Sequence, residues 1–241
     1  MKYSNIASAY FLDRPNRFVA HVELGAGPDR RTETVHVKNT GRCRELLLPG
    51  AEVFLCASDN PARRTKYDLV AVRRADGSVV NLDSQAPNRV VREWLETQGF
   101  DRIRQEYAWG DSRFDFYLER SCRGGCCEPE KGEVPQHWLL EVKGCTLQIG
   151  EFGYFPDAPT ERGVKHLKEL TRAVREGWRA AVAFVIAMEG VAEVKPNMAT
   201  HPAFGNALEE ARAAGVKVLQ LPCRVTPDSL QIAEGVTFDP E

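Results

Sequence analysis

The sequence predicts an α/β (α+β) protein of two domains, a small β-barrel over residues 1–86 and a mixed sheet flanked by helices over residues 87–241. The chain has 241 residues, of which 43% are hydrophobic, and this is enough for two cores. Five short β-rich segments come first, with no helix of useful length between them. From residue 87 onward, helical and strand patterns alternate, which is typical of a sheet covered by helices.

The barrel prediction rests on short strands separated by strong turn signals. Turns are indicated by GAGPD, NTG, Pro49–Gly50, DNP and Asp76–Gly77, the last of which is a hairpin signal. Strands of this length and spacing favour a closed or partly open OB-like barrel. The predicted strands are RFVAHVEL (17–24), TETVHVK (32–38), EVFLCA (52–57), YDLVAVR (67–73) and SVVNL (78–82).

The second domain opens with RVVREWLETQ, whose apolar residues have helical spacing and for which Asn88 is the predicted N-cap. β-like stretches follow at IRQEYAW, RFDFYLE, HWLLEVK and TLQI. Thr160 is predicted to cap a helix that closes near Gly177. RAAVAFVIAM has the continuous apolar character of a buried strand. PAFGNALEEARAAG is then a helix ended by Gly215, and VKVLQL is the final strand.

Charge and composition exclude several classes of protein. The formal net charge is −2, so the chain is neither histone-like nor an acidic disordered tail. Residues 1–86 carry 13 Lys+Arg and 10 Asp+Glu, whereas residues 87–241 carry 19 and 24, so the first half suits a polyanion and the second a cation. No apolar run is long enough for a membrane span or a signal sequence. We therefore expect a cytoplasmic protein with reduced cysteines.

The most informative text for chemistry is SRFDFYL followed by LLEVKG. In two neighbouring strands, Asp115 alternates with Phe114 and Phe116, while Glu141 and Lys143 share one face. The carboxylates of Asp115 and Glu141, with the Val142 backbone carbonyl, form a hard oxygen site suited to Mg²⁺ or Mn²⁺. Lys143 then lies beside a metal-bound water that attacks a phosphodiester phosphorus.

The alternative for these residues is a solvated strand face, where an Asp and a Glu-x-Lys are common. The apolar neighbours of Glu141 favour a functional role, because an unpaired charge in a buried strand is expensive and usually has a partner or a metal. Glu106, in IRQEYAW, is a candidate third carboxylate from the preceding strand. The sequence therefore predicts Asp115 and Glu141 as metal ligands.

The helix after Thr160 carries a second group of candidates. Arg162 and His166 are four residues apart and share a face, with Lys165 alongside. Cations at a helix N-terminus oppose the helix dipole unless they meet an anion, and a phosphate is the natural partner. A solvated helical face is the alternative.

The barrel half offers a basic surface for nucleic acid. The predicted contacts are the tight turn Asn39–Thr40–Gly41 and the cations Arg42, Arg44, Arg63, Arg64 and Lys66. Such a cluster, with the N–H groups of the turn, grips backbone phosphates, and Tyr67 is a candidate for stacking a base. Ordinary turn chemistry explains NTG equally well.

Cysteine spacing in the segment 122–136 resembles half of a zinc site. Cys122, Cys126 and Cys127, with Cys145 and His137 nearby, match none of the common zinc-finger patterns. We therefore predict free thiols in a loop and no structural zinc.

Taken together, NTGR, SRFDF, LLEVK and FPDAPTERGVKHLKEL, with NPARRTKYDLV and QAPNRVVREWL between them, resemble the sugar fermentation stimulation protein family, SfsA. The resemblance runs from about Arg17 to about Leu219. It implies an N-terminal OB-like domain and a C-terminal domain of the PD-(D/E)xK, restriction-endonuclease-like type. It also implies nucleic-acid binding, since family members have been described as non-specific DNA-binding proteins linked to maltose metabolism and as predicted nucleases.

By this resemblance, Asp115 is the metal-binding aspartate and the pair Glu141 and Lys143 is the E-x-K motif. Glu106 resembles the acidic residue that precedes the core in such nucleases. Arg162 and His166 fall in a TxRGxxHL helix that faces the scissile phosphate. The sequence departs from the family at Lys38 and Cys43, which flank the barrel turn, and in the length of the cysteine-rich insert.

Three functions follow as hypotheses. The first is a metal-dependent nuclease acting on DNA or RNA, with single or double strands left open. The second is a non-enzymatic, largely sequence-independent DNA-binding regulator that retains the nuclease fold. The third is an enzyme acting on sugars, which lacks support because the chain has no Gly-rich phosphate loop and no informative Ser/His/Asp or Cys/His spacing.

Overall fold

The computed structural model describes residues 1–39, 41–121 and 135–238, which form an α+β fold. The first half contains β1 (Ile6–Asn16), β2 (Val19–Leu24), β3 (Arg31–Val37), β4 (Glu52–Ala57), β5 (Tyr67–Arg73) and β6 (Val79–Asn81), with a short 3-10 helix at Gly27–Asp29. The second half contains α1 (Ala86–Leu95), β7 (Arg102–Trp109), β8 (Ser112–Arg120), β9 (Gln136–Cys145), β10 (Leu147–Ile149), β11 (Phe152–Phe155), α2 (Glu161–Arg175), β12 (Arg179–Ile186), β13 (Val194–Pro196), α3 (Pro202–Ala213), β14 (Lys217–Thr226) and β15 (Ser229–Ile232).

Alternating apolar residues close the first five strands into the predicted OB-like barrel. The sheet order is β3-β2-β1-β4-β5-β6, and parallel pairing of β3 with β5 closes the barrel. On β2, Ala20, Val22 and Leu24 are buried while the residues between them are half-buried. Such alternation is what a strand with one face on a core requires.

The strand β1, which has 11 residues and lies in the middle of the barrel sheet, is not among the strands that the sequence predicts. Only Ala9 and Phe11 of this strand are buried, and its second half reads DRPN. Its pairing with β2 is also irregular on both sides of Asp13. A strand with so few buried residues and a bulged half carries little alternation, so its pattern is weak.

The second half forms a mixed sheet of order β15-β14-β12-β9-β8-β7, with a small sheet β10-β11-β13 beside it. The central strand β12 runs parallel to β9 and β14. Ala181 and Val185 pack in the cluster that includes α1, whereas Val182 and Phe184 pack in the cluster that includes α2 and α3. The continuous apolar run predicted a strand buried on both faces, and this is confirmed.

Two helix predictions have different outcomes. Thr160 caps α2 as predicted, since its Oγ1 accepts from the Gly163 N–H at 3.1 Å. The N-cap prediction for Asn88 is wrong, because the N-cap of α1 is Gln85, three residues earlier. Pro87 lies at the start of this helix, where the lack of an N–H costs nothing. Asn88 therefore keeps its side chain for another contact.

The end of the chain also differs from the prediction. VKVLQL lies within β14 but is not the final strand, since β15 follows and pairs with it antiparallel. The Met1 ammonium donates to the Leu230 carbonyl oxygen at 2.8 Å and to Glu93 Oε2 at 2.6 Å.

Both hydrophobic clusters contain residues from the two halves. The division at residues 86 and 87 stays a prediction. No helix in the described ranges has the length and apolar character that crossing a membrane requires.

Candidate active site

Asp115 lies where β8 and β9 separate. Backbone pairing of these strands runs from Arg120 opposite Gln136 to Phe116 opposite Leu140. Beyond that point the Val142 N–H donates to Asp115 Oδ2 at 2.7 Å. The other oxygen, Oδ1, accepts from the Asn88 side-chain amide at 2.7 Å. The opening between the strands is therefore closed by a side chain, which fixes the Asp115 carboxylate beside β9.

The predicted alternation of Asp115 with both neighbouring phenylalanines is wrong. Phe114 packs in the cluster of α2, with its ring 5.7 Å from that of His166, whereas Phe116 packs in the cluster of α1. The two rings therefore lie on opposite sides of the sheet. The cause lies in the neighbouring strand β7, where Glu106 has a φ of +54°. Glu106 and Asp115 are both left out of the backbone pairing between β7 and β8. A left-handed residue interrupts the regular pleat.

Glu141 is buried, with 4% of its surface exposed. Its Oε1 accepts from Lys143 Nζ at 2.5 Å and lies 2.5 Å from His166 Nδ1. Its other oxygen, Oε2, is buried and has no hydrogen-bond partner among the described residues. A buried carboxylate oxygen without a donor is costly, and a bound cation is one way to compensate it.

The electrostatics of the two carboxylates differ. Burial raises the pKa of Asp115 to about 6, and the negative charge of Glu141 adds to this effect. Burial also acts to raise the pKa of Glu141, but the hydrogen bond from His166 and the charge of Lys143 outweigh it, so this pKa is lowered. Positive charge placed between the two carboxylates would relieve their repulsion.

Helix α2 contributes a chain of contacts to the site. The exposed Arg162 donates from Nε to His166 Nε2 at 3.4 Å, and His166 Nδ1 contacts Glu141. With Nε2 accepting, the His166 ring carries its proton on Nδ1 and donates it to the carboxylate. His166 is 4% exposed, and its ring contacts Glu141. This burial does not suit the predicted direct contact of His166 with a phosphate. Lys165 donates to the Asp111 carbonyl oxygen at 2.7 Å.

The structure thus brings together Asp115, Glu141, Lys143, Arg162 and His166. It does not bring Glu106 to them, since that carboxylate is 64% exposed and lies 3.6 Å from Arg113 Nη1. Within the described ranges no group of three or more His, Cys, Asp or Glu side chains is arranged to hold a metal. The protein side chains available to a cation at this site would be the two carboxylates of Asp115 and Glu141.

The barrel turn is fastened to the second half of the molecule. Gly41 N–H donates to Asn39 Oδ1 at 2.7 Å, and Arg42 N–H donates to Asp157 Oδ2 at 3.0 Å. A Cβ on Gly41 would lie 2.3 Å from the Asp157 carboxylate, so a larger residue here would displace the group that binds the Arg42 N–H. The prediction that these N–H groups grip phosphates is therefore wrong, because they are already hydrogen-bonded. Asp157 was missed, although it lies in the FPDAPTERG block that carried the resemblance.

The other predicted nucleic-acid contacts fall into two groups. Arg63 makes a two-pronged ion pair with the buried Asp68, at 3.0 and 2.5 Å, and is thus committed to the barrel. Tyr67 packs against the hydrophobic core. Arg42, Arg44, Arg64 and Lys66 are exposed, as a nucleic-acid contact requires. Thr40, Cys122, Cys126 and Cys127 lie outside the described residues, whereas Cys43, Cys56, Cys145 and Cys223 are free thiols.

A cavity of about 190 Å³ lies between the barrel turn and the carboxylate site. Asn39, Gly41 and Asp157 line one part of it, and Asn88 and Val142 line another. The last two are the residues that hold Asp115. The fastened turn and the two residues that hold Asp115 therefore face one space, whereas Asp115, Glu141 and Lys143 do not line it.

Sequence comparison identifies the family. Residues 12–82 match the family model described as the SfsA N-terminal OB domain, and residues 85–229 match the one described as the sugar fermentation stimulation protein RE domain. The chain belongs to the sugar fermentation stimulation protein (SfsA) family. It is similar to homologues from Desulfitobacterium hafniense (strain DSM 10664 / DCB-2), 49% identical over 98% of this chain and 97% of the relative, and from Ruminiclostridium cellulolyticum, 43% identical over 98% of each.

A solved SfsA structure has the same architecture. The Pyrococcus furiosus SfsA, determined in complex with Ca²⁺, superimposes with a TM-score of 0.78 at 28% identity and covers 96% of both chains. The predicted family and the predicted fold class are therefore confirmed.

Proposed function

We propose that this SfsA protein binds nucleic acid and hydrolyses phosphodiester bonds with Mg²⁺ or Mn²⁺ held by Asp115 and Glu141. The observation that carries the proposal is the meeting of these carboxylates beside Lys143, with the buried Glu141 Oε2 lacking a donor. The Pyrococcus furiosus relative was solved with Ca²⁺, a hard cation that prefers the same oxygen ligands. Both points support a cation at this site.

Each residue of the site has a role in this proposal. The cation supplies Lewis acidity at the scissile phosphate. Lys143 orients the attacking water and faces the developing negative charge. Arg162 is exposed at the mouth of the site and neutralises a phosphate oxygen. Asn88 and the Val142 N–H orient Asp115, while His166 orients Glu141, in the manner of groups that support metal ligands.

Nucleic acid is the proposed substrate because a basic barrel adjoins the site. The N-terminal match is to an OB domain, a fold whose members bind oligonucleotides. Arg42, Arg44, Arg64 and Lys66 present exposed cations on this barrel. Gly41 and Asn39 of the barrel turn share a cavity with Asn88, whose side chain donates to Asp115.

The test is cleavage of labelled single- and double-stranded DNA and RNA in Mg²⁺, Mn²⁺ or EDTA. We expect metal-dependent cleavage by the wild-type protein and a loss of at least about 100-fold for Glu141→Gln and Asp115→Asn, since each removes a metal ligand. Glu209→Gln, on the exposed face of α3, is the matched control and retains activity. Equal turnover by wild type and Glu141→Gln would refute the assignment.

A second candidate is a DNA-binding protein that keeps the nuclease fold without its chemistry. The observation in its favour is that, over the residues the structure covers, no third metal-ligating side chain joins Asp115 and Glu141. This function predicts salt-dependent binding that is indifferent to Asp115→Asn, and no cleavage of any substrate. The same set of variants therefore separates the two candidates.

A further inference from the structure

Phe18 is a large aromatic residue that the fold leaves on the surface of the barrel, with 45% of its area exposed. Its position is fixed by the backbone on both sides. The Phe18 N–H donates to Asn16 Oδ1 at 2.9 Å, and the Phe18 carbonyl oxygen accepts from the Val37 N–H at 2.8 Å. The ring is therefore presented by a rigid turn between β1 and β2 rather than by a free loop.

One cation contacts this ring, and others lie on the neighbouring turn. The Arg17 guanidinium lies over the ring at 4.8 Å from its centroid. The Arg14 guanidinium links the β1–β2 turn to the barrel turn at Gly41. It donates to the carbonyl oxygens of Arg17, at 2.7 Å, and Gly41, at 3.0 Å. Arg42 and Arg44 follow Gly41 and are exposed, and neither guanidinium has an ion pair or hydrogen bond within the described part of the chain.

The contacts also connect this surface to the candidate active site. Arg42 N–H binds Asp157, which lines the cavity shared with Asn88 and Val142. That cavity, about 190 Å³, is not lined by Asp115 or Glu141 themselves, but Asn88 and Val142, which line it, are the residues that hold Asp115.

We infer that Phe18 is a base-stacking platform, with Arg17, Arg42 and Arg44 as its phosphate contacts, and that it selects single-stranded nucleic acid for the carboxylate site. The inference rests on the proposed function. A base stacks on the exposed part of the ring, while the backbone of the strand follows the cations toward the cavity. Tyr67, the aromatic residue that the sequence favoured for this role, is packed against the core instead.

Tyr10, in β1, provides a matched control on the same barrel. It is 52% exposed, so it is as accessible as Phe18. Its neighbours across the sheet are Glu23 and Glu52, which are ion-paired with Arg30 and Arg73. Tyr10→Ala therefore removes exposed aromatic area at a place that, among the described residues, carries no uncompensated cation and leaves the inferred platform intact.

The experiment measures fluorescence anisotropy of labelled oligothymidylate and oligouridylate of about 16 nucleotides, the upper end of an OB site, in EDTA so that the strand stays intact. We expect Phe18→Ala and Phe18→Leu to raise the dissociation constant about 5- to 150-fold, the loss of one stacked base. Phe18→Trp and Tyr10→Ala bind like wild type. For a duplex, Phe18→Ala changes binding by less than about twofold, because paired bases are not available for stacking.

The outcomes separate this inference from the proposed function. If wild type binds the single strand and Phe18→Ala binds it equally well, the platform is refuted while the metal-dependent nuclease still stands on the Glu141→Gln comparison. Wild-type affinity in Phe18→Leu also refutes stacking, since an aliphatic side chain then suffices. If wild type binds neither single strands nor duplex, DNA or RNA, the proposed function and this inference both fail.

Discussion

At the scale of single residues, the candidate site depends on how Asp115 and Glu141 are held. Asp115, Glu141 and Lys143 could be predicted because acidic residues in apolar strands need partners, and that need is visible in the sequence. Asn88 could not, because its role depends on α1 beginning at Ala86 and thereby turning the Asn88 amide toward β8. Glu106 was misplaced because nothing in its sequence indicates a φ of +54°.

The raised pKa of Asp115 leads to a prediction about stability. The folded pKa of about 6 exceeds the unfolded value of about 3.9, so the folded state binds more protons between these values. The contribution of Asp115 to stability therefore falls as pH rises from about 4 to 6, and this loss persists above pH 6. Asp115→Asn does not titrate, so we expect its free energy of unfolding, relative to wild type, to rise by about 1–2 kcal/mol between pH 4 and pH 7.5.

Urea unfolding in EDTA at the two pH values measures this difference. Glu209→Gln, exposed on α3, is the control and shows no such change between the two pH values. A constant difference between Asp115→Asn and wild type across this range would show that Asp115 is already ionised at low pH and that its burial is not costly.

At the scale of elements, the sequence was most informative where a pattern is long and regular. The α2 cap and the buried strand β12 were predicted because a capping threonine and a continuous apolar run each have a local physical cause. The three-residue β13 and the four-residue β11 were missed because strands so short show no period. Since α2 carries Arg162 and His166, its N-terminus matters for the site as well as for stability.

Thr160 tests the contribution of that N-terminus. We expect Thr160→Ala to lower the free energy of unfolding by about 0.5–2 kcal/mol, because the Gly163 N–H then loses the oxygen that accepts from it at 3.1 Å. Thr160→Ser keeps the hydroxyl and remains within about 0.5 kcal/mol of wild type. Thermal and urea unfolding measure both variants, and equal losses for Ala and Ser would mean that the threonine methyl group, and not its oxygen, stabilises the helix.

At the scale of the whole molecule, contacts between distant segments hold the barrel turn against the second half. The NTG turn was recognised from its local sequence, but its partner Asp157 lies 115 residues from Arg42. Arg14 is another such partner, in a strand that the sequence analysis did not identify. Local patterns specify turns and strands, whereas which turn meets which carboxylate is decided by the closure of the sheet.

A substitution of Arg14 tests most directly how the barrel turn is held in place. Its guanidinium donates to four carbonyl oxygens, those of Arg17, Asn39, Gly41 and Arg42, at 2.6–3.0 Å. We expect Arg14→Ala to lower the free energy of unfolding by about 2–4 kcal/mol, because hydrogen bonds to a charged donor are lost in a partly buried place. Lysine has the charge but not the planar fork that spans several acceptors, so Arg14→Lys falls closer to Ala than to wild type.

The matched control is Arg31→Ala, whose guanidinium is 55% exposed and which changes stability by less than about 0.5 kcal/mol. Because Arg14 also fixes the turn that presents Phe18, oligothymidylate binding by Arg14→Lys weakens together with stability. If Arg14→Lys unfolds and binds like wild type, the charge alone is sufficient and the fork geometry does not organise the barrel surface. The two lysine measurements therefore decide whether this arginine acts as a positive charge or as a connector between chain segments.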